Sequence, residues 1–245
     1  MATIARRLGV VAVYLAVAGS VAAVPPAQAA DEGASGIPTR TVVTSTNFHP
    51  VYGQRFTIRG QVQLVSAGTA GAAPTYTPFP KQPVVLQLCT SACYSRTPTW
   101  KHVASTTTSD DAKAIFAFPL VARATRVYRV VFDASKYLGI IQSSAGAIRI
   151  DTHRRLSVTL RQPRPRRFVM AGRVTPMYGR QTAYLMRRSC SSCAFKTVQR
   201  VRTTRTGAYR FAFSAPGRTS TYVVRARAYK GLSVSYSKMA RVLVR

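Results

Sequence analysis

The sequence predicts an all-β protein, two tandem β-sandwiches behind an N-terminal export signal. Three observations carry that expectation. A set of sequence blocks occurs twice in the same order, apolar and polar residues alternate within those blocks, and the first 29 residues have the layout of a cleaved leader.

The leader comes first. Arg6 and Arg7 form a charged start, Leu8 to Val24 is apolar apart from Ser20, and Ala27-Gln28-Ala29 is an A-x-A cleavage site. The apolar run is short for a bilayer span, so cleavage after Ala29 is expected rather than retention as an anchor. No later stretch is long and apolar enough to cross a membrane. The expected organisation is a signal peptide over 1–29, a flexible small-residue linker over 30–38, a first repeat over 39–150 and a second over 151–245.

The repeat is the most informative feature. Arg55-Phe-Thr-Ile-Arg-Gly-Gln-Val62 matches Arg167-Phe-Val-Met-Ala-Gly-Arg-Val174. Phe56, Ile58 and Val62, like Phe168, Met170 and Val174, fall at alternate positions, the period of a strand with one buried face. Val84-Val-Leu-Gln-Leu88 then corresponds to Ala183-Tyr-Leu-Met-Arg187, and a close pair of cysteines follows in each copy. Next come Trp100-Lys101 and Phe195-Lys196, a turn at 109–113 and at 204–208, and the aromatic runs Ala114-Ile-Phe-Ala-Phe118 and Tyr209-Arg-Phe-Ala-Phe213. Each copy closes on tyrosine-bearing strands at Tyr128 and Tyr222 and on a β-branched strand, Ala147–Ile150 or Arg241–Val244. With leading strands at Thr41–Thr44 and Leu156–Leu160, each copy holds about seven short strands separated by turn signals.

These blocks resemble bacterial immunoglobulin-like β-sandwich repeats of the secreted actinobacterial type. The likeness is carried by Trp100-Lys-His-Val103 and the Thr-rich strand after it, the aromatic sets Phe116/Phe118 and Tyr209/Phe211/Phe213, and the Tyr128 and Tyr222 strands. The resemblance implies two tandem immunoglobulin-like sandwiches serving as spacer, adhesin or polymer-binding modules, which are seldom catalytic. The charge departs from the family's usual neutral or acidic balance.

The first copy spends 21 residues between Val62 and Val84 where the second spends 8 between Val174 and Ala183. Prolines at 74, 78, 80 and 83 stiffen the extra piece. Tyr76 and Phe79 in it either form a binding loop or pack back on the sheet.

Cys89 and Cys93, and Cys190 and Cys193, stand at the same place in each copy. An even count in an exported chain favours one local disulfide per repeat. A shared zinc site requires the two pairs to meet, although they lie about a hundred residues apart, and Cys-x3-Cys is not the usual knuckle. A redox role needs a low-pKa thiol, typically at a helix N-terminus, and the flanks read as strand.

Composition speaks to partners. There are 36 Lys plus Arg against 6 Asp plus Glu, a net charge of +30, spread over the mature chain. Such a charge favours anionic partners and also keeps an exported protein soluble. The densest run places six arginines in 14 residues: Arg154, Arg155, Arg161, Arg164, Arg166 and Arg167. Pro163 and Pro165 suggest a loop over 164–167. Arg200 and Arg202 alternate along a strand and share one sheet face. All eight are anion-binding candidates, since guanidinium forks bind phosphate and carboxylate in bidentate fashion.

Catalytic patterns are missing from the sequence. Asp110 and Asp111 are neighbours in a turn, and His49, His102 and His153 fall in no nucleophile motif. No cofactor, metal site, specific nucleic-acid contact or membrane span of the mature chain is expected. The functional expectation is a secreted, non-catalytic, envelope-associated binding or structural protein that contacts an anionic wall polymer or acidic surface. A cationic membrane-active or toxin-like effector is the alternative, and a secreted enzyme comes third.

Overall fold

The computed structural model describes residues 36–68, 72–217 and 219–243. The expected signal segment and residues 30–35 of the expected linker lie outside the described residues. At the linker's end, Ile37 pairs with Ile140, its N–H donating to Gly139 O at 2.7 Å.

The described residues form strands and no helix. The first sandwich contains β1 (Thr39–Ser45), β2 (Arg55–Ser66), β3 (Thr75–Pro78), β4 (Pro83–Ser91), β5 (Thr99–Thr107), β6 (Ile115–Val121), β7 (Arg126–Phe132), β8 (Ser143–Ser144) and β9 (Ile148–Ile150). The second contains β10 (Arg155–Leu156), β11 (Thr159–Arg164), β12 (Arg167–Thr175), β13 (Thr182–Arg188), β14 (Lys196–Arg202), β15 (Ala208–Ser214), β16 (Ser220–Ala226), β17 (Ser235–Tyr236) and β18 (Ala240–Val242).

Each sandwich packs two antiparallel sheets. In the first, β2 is flanked by β1, β6 and the short β3, opposite a sheet ordered β5-β4-β7 that β8 and β9 complete. In the second, β12 is flanked by β10, β11 and β15, opposite β14-β13-β16 completed by β17 and β18. The chain is therefore all-β with two tandem immunoglobulin-like sandwiches.

The alternating pattern becomes two separate cores. Phe56, Ile58, Val62, Leu86, Phe116, Val130 and Ile150 are buried together in the first. Phe168, Met170, Val174, Leu185, Phe211, Val224 and Val242 are buried together in the second. The two copies share an irregularity as well. The β4–β5 ladder slips between Leu86 and Gln87, and the β13–β14 ladder slips between Leu185 and Met186.

The matched glycines have a steric reason. A Cβ on Gly60 would lie 1.9 Å from Val42 O, and one on Gly172 would lie 2.0 Å from Ser157 O. Both glycines let the leading strand cross close over the core edge of the second strand.

Three expectations change. The single strand expected over Leu156–Leu160 is split into β10 and β11, because the chain crosses over Gly172 at Ser157, whose carbonyl accepts from Tyr209 Oη at 2.6 Å. The loop expected over 164–167 is a hairpin turn. Arg164 pairs with Arg167, Pro165 and Arg166 form the turn, and Arg166 takes φ 58. Pro163 is accommodated because β11 is an edge strand with a register shift between Arg161 and Arg164. The inserted aromatic segment is strand β3, paired to β2 from Gln63 to Ser66. Phe79 packs on the first core beside Phe132 and Tyr137, at centroid distances of 6.0 and 6.1 Å. Only Tyr76 stays exposed, with Arg40 lying 4.8 Å over its ring.

Both cysteine pairs are disulfides. Cys89–Cys93 and Cys190–Cys193, with Cα separations of 5.6 and 5.1 Å, close the β4–β5 and β13–β14 turns. Loops this short restrain little chain entropy, so each bridge contributes about 2 kcal/mol at most.

Gly60→Ala should cost about 1–3 kcal/mol through backbone crowding. Gly146→Ala, where a Cβ meets nothing within 4 Å, should stay within ~0.5 kcal/mol. Chemical denaturation of the two variants checks the pair.

Candidate functional site

The acids are unevenly placed. Residues 39–150 hold 12 Lys plus Arg and three Asp, whereas residues 151–245 hold 22 Lys plus Arg and Asp151 alone. The cationic excess thus falls mainly on the second sandwich rather than evenly along the chain.

Arg154 does not belong to that surface. It is 2% exposed. Its Nε donates to Pro176 O at 3.1 Å and its Nη2 to Tyr229 O, while its guanidinium lies 5.0 Å over Tyr178 and 5.8 Å from the Tyr229 ring. Burial pushes its pKa down, and among the described residues no carboxylate pairs with it. The sequence places Arg154 beside Arg155 in a basic run, but the first strand of the sandwich alternates, and this residue falls on the inner side.

Around Arg154 the two sandwiches are tied by hydrogen bonds. The Tyr229–Val234 loop reaches the first sandwich through Thr125 N donating to Gly231 O at 2.7 Å and through the Thr125–Ser233 hydroxyl pair at 2.8 Å. The connector is held on both sides. Asp151 N donates to Phe48 O, His153 N to Pro50 O and Ser233 N to Thr152 O, all at 2.8–2.9 Å. His153 Nδ1 donates to Val234 O at 2.7 Å. Asp151 Oδ1 accepts from Ser233 Oγ at 2.7 Å and from Arg149 Nε at 2.9 Å. Burial raises the Asp151 pKa, but those two donors and the Arg149 charge outweigh it and hold the carboxyl below its ordinary value.

The remaining candidates divide between the two outer faces of the second sandwich. On the β10/β11-β12-β15 face, Arg155, Arg161 and Arg167 are exposed together with Arg173 and Arg210. Arg164 and Arg166 sit at the exposed hairpin tip of this sheet.

On the opposite face, Arg200 and Arg202 point away from the core, since Val201 between them pairs with fully buried Ala183. Tyr184 lies between Arg200 of β14 and Arg225 of β16 in the ladder. The guanidiniums of Arg225 and Arg227 lie 5.0 and 4.6 Å from the Tyr184 ring centroid. Arg202 is braced by Nε donating to Arg180 O at 3.1 Å, and Tyr236, 56% exposed, pairs with Arg225. Arg173, Arg225 and Arg227 were not singled out from sequence. They stand apart from any basic run, and only strand register brings them beside the others.

The chemistry available elsewhere is limited. His102 Nε2 meets Ser105 Oγ at 2.9 Å, but both are exposed on edge strand β5, and among the described residues no carboxylate bonds that His. Asp111 accepts from Ser109 Oγ and from the Lys113 and Ala114 amides, which lower its pKa and fix the β5–β6 turn. Asp110 pairs with Lys81 at 2.7 Å. The four sulfurs are tied up as disulfides, so they offer no thiolate to a metal. Two surface hollows of about 270 and 280 Å³ lie at Gly60 and at Tyr222, and neither gathers a nucleophile with a base.

Arg154→Ala should lower stability by roughly 2–4 kcal/mol, by analogy with the loss of other large buried side chains, whereas the exposed neighbour Arg155→Ala should stay within ~0.5 kcal/mol. Denaturant titration of both variants checks this. Asp151 contributes stability above its ordinary pKa of 3.8 and loses it as pH falls through its lower folded value. Asp151→Asn should therefore be less stable than the parent at neutral pH, and the gap should close in strongly acidic buffer, as followed by thermal unfolding across pH.

No protein-family model matches the chain, and no curated protein does. Among solved structures, the FN1-FN3 domains of chicken CNTN1 align over 86% of this chain and 68% of that chain, at 11% identity and a TM-score of 0.28. A likeness that distant carries no argument about ligand or arrangement. The immunoglobulin-like assignment stands on the strand pairing and the two cores.

Proposed function

We propose that this protein is an exported, non-catalytic module that docks by charge, through its second sandwich, onto an anionic polymer of the cell envelope. The observation that carries the reading is the absence of any Asp or Glu after Asp151, in a segment with 22 Lys plus Arg. Both outer sheet faces of that sandwich present arginines without a neighbouring carboxylate, so a polyanion meets attraction over either face. The disulfides are compatible with an extracellular compartment, and among the described residues no helix is long and apolar enough to cross a membrane.

The test is a salt titration. The protein should bind immobilised inorganic polyphosphate at low salt, and affinity should fall ~10-fold or more between about 50 and 500 mM NaCl as counterion release loses its drive. A matching salt wash should release it from the host envelope. Absence of binding at the low end, or an affinity indifferent to salt, overturns the reading.

A further inference from the structure

The two sandwiches give the chain an internal reference. Fully buried Leu86 and Leu185 hold the same place in the fold, as do Val130 and Val224, and the ladder slip after each leucine keeps the neighbouring strands in step. From these anchors the outer faces can be compared residue by residue. Tyr184 takes the place of Val85, Arg200 that of Ser105, and Arg202 that of Thr107. Arg225 takes the place of Val131 and Tyr236 that of Ser144. One residue beyond the strand, Arg227 stands where the first copy has Asp133. A neutral to acidic patch on one sandwich is a four-arginine, two-tyrosine patch on the other.

The opposite face changes as well, since by register Arg173 and Arg210 stand where the first copy has Gln61 and Ala117, and Ala171 stands where it has Arg59. The opposite outer face is cationic in both copies, with Arg55 and Arg167 at the same position before the matched phenylalanines. Four charges also gather on the Tyr184 face against ordinary repulsion. Arg225 and Arg227 share the Tyr184 ring, and Arg225 Nε is buried with no hydrogen-bond partner among the described residues. A guanidinium braced on a ring is positioned in advance for bidentate contact with an oxyanion. Along each strand the paired arginines are two residues apart, about 6.7 Å, and the two strands flank β13, so the rows lie about 9.6 Å apart. Anionic groups repeated along one flexible chain match such a grid.

We propose that the outer face formed by Tyr184, Arg200, Arg202, Arg225, Arg227 and Tyr236 is a discrete binding site for a linear phosphate-bearing polymer. The proposal rests on the docking reading above and names the face and ligand class. The Tyr184 ring is covered by guanidiniums, so the face offers phosphate contacts more than apolar insertion. That favours a polymer lying across the strands over a bilayer.

The test installs the first copy's own residues. A variant carrying Arg200→Ser, Arg202→Thr, Arg225→Val and Arg227→Asp is compared with one carrying Arg155→Ser, Arg161→Ser, Arg173→Gln and Arg210→Ala on the other face. Binding to inorganic polyphosphate is measured by titration calorimetry at fixed salt, with far-UV circular dichroism to establish folding. The first variant should lose at least ~30-fold in affinity and the second no more than ~5-fold, the range of a few phosphate contacts. Replacing the same four arginines by lysine keeps the charge, tests the positioned forks and should cost ~3–10-fold, giving a result even if the first variant fails to fold. Equal losses on the two faces, or no loss with lysine, overturn the site. Tighter binding to phosphatidylglycerol vesicles than to polyphosphate at equal phosphate overturns the polymer as occupant. Failure of the parent to bind any of these probes instead overturns the docking reading itself.

Discussion

A shortage of carboxylates governs this molecule. With 36 Lys plus Arg and 6 Asp plus Glu, most guanidiniums find no acid, and the described residues contain two ion pairs, Lys81–Asp110 and Arg149–Asp151. The arginines settle on aromatic rings and carbonyls instead. Arg129 lies 4.4 Å over Trp100, with Nε on Gln87 Oε1, and Arg188 lies 4.9 Å over Phe195. Such stacks are worth ~0.5–1 kcal/mol at exposed sites, comparable to a surface ion pair, and they leave the positive charge unneutralised. Arg154 is the extreme case, a buried cation held by two carbonyls and two rings, with Nη1 left without a hydrogen-bond partner among the described residues. It holds the Tyr229–Val234 loop that reaches Thr125, so the seam between the sandwiches depends on a guanidinium with no counter-charge.

The two copies show which positions packing controls. Inward residues keep their character and often their identity: Phe56 and Phe168, Leu86 and Leu185, and Phe118 and Phe211 hold matching places and are all buried. Each must fill a fixed volume between two sheets, where a lost methylene is felt. Outward residues are held less tightly, so the first copy has Val131 where the second has Arg225, although Val131 is itself buried. The divergence between the copies therefore concentrates on the faces, where it reads as chemistry.

Much of the fold was legible because period-two alternation and turn residues report directly on half-buried strands. The cysteines were legible because their spacing fits a tight turn between two paired strands. The candidate site was harder to read. Arg154 looked like part of a basic run, but the alternation that leads into β10, with Arg155 exposed between buried Arg154 and Leu156, puts it on the inner side. Phe79 looked like a loop residue, but the strand pairing of β3 turns it onto Phe132. Arg225 and Arg227 lie 25 residues or more along the chain from Arg200, and the ladder through Tyr184 that unites them is a long-range property. Runs of one residue type in sequence proved a poorer guide than the position of each residue on its strand.

Charge also links folding to binding. Residues 151–245 carry 22 cations against Asp151, a net of +21, and repulsion of that kind opposes the compact state. A core of ordinary size, two small disulfides and ring stacking hold the sandwich against it. A ligand that supplies regularly spaced negative groups removes the repulsion without altering the core, and it binds the folded form, where the arginines are ordered, better than the unfolded chain. Occupancy and folded stability then rise together with polyanion concentration and fall together as added salt weakens binding. Under the proposed docking, an acid-free sandwich of this sort is most stable where polyanion is abundant, which would give a physical reason for the absence of carboxylates after Asp151 rather than from one face alone.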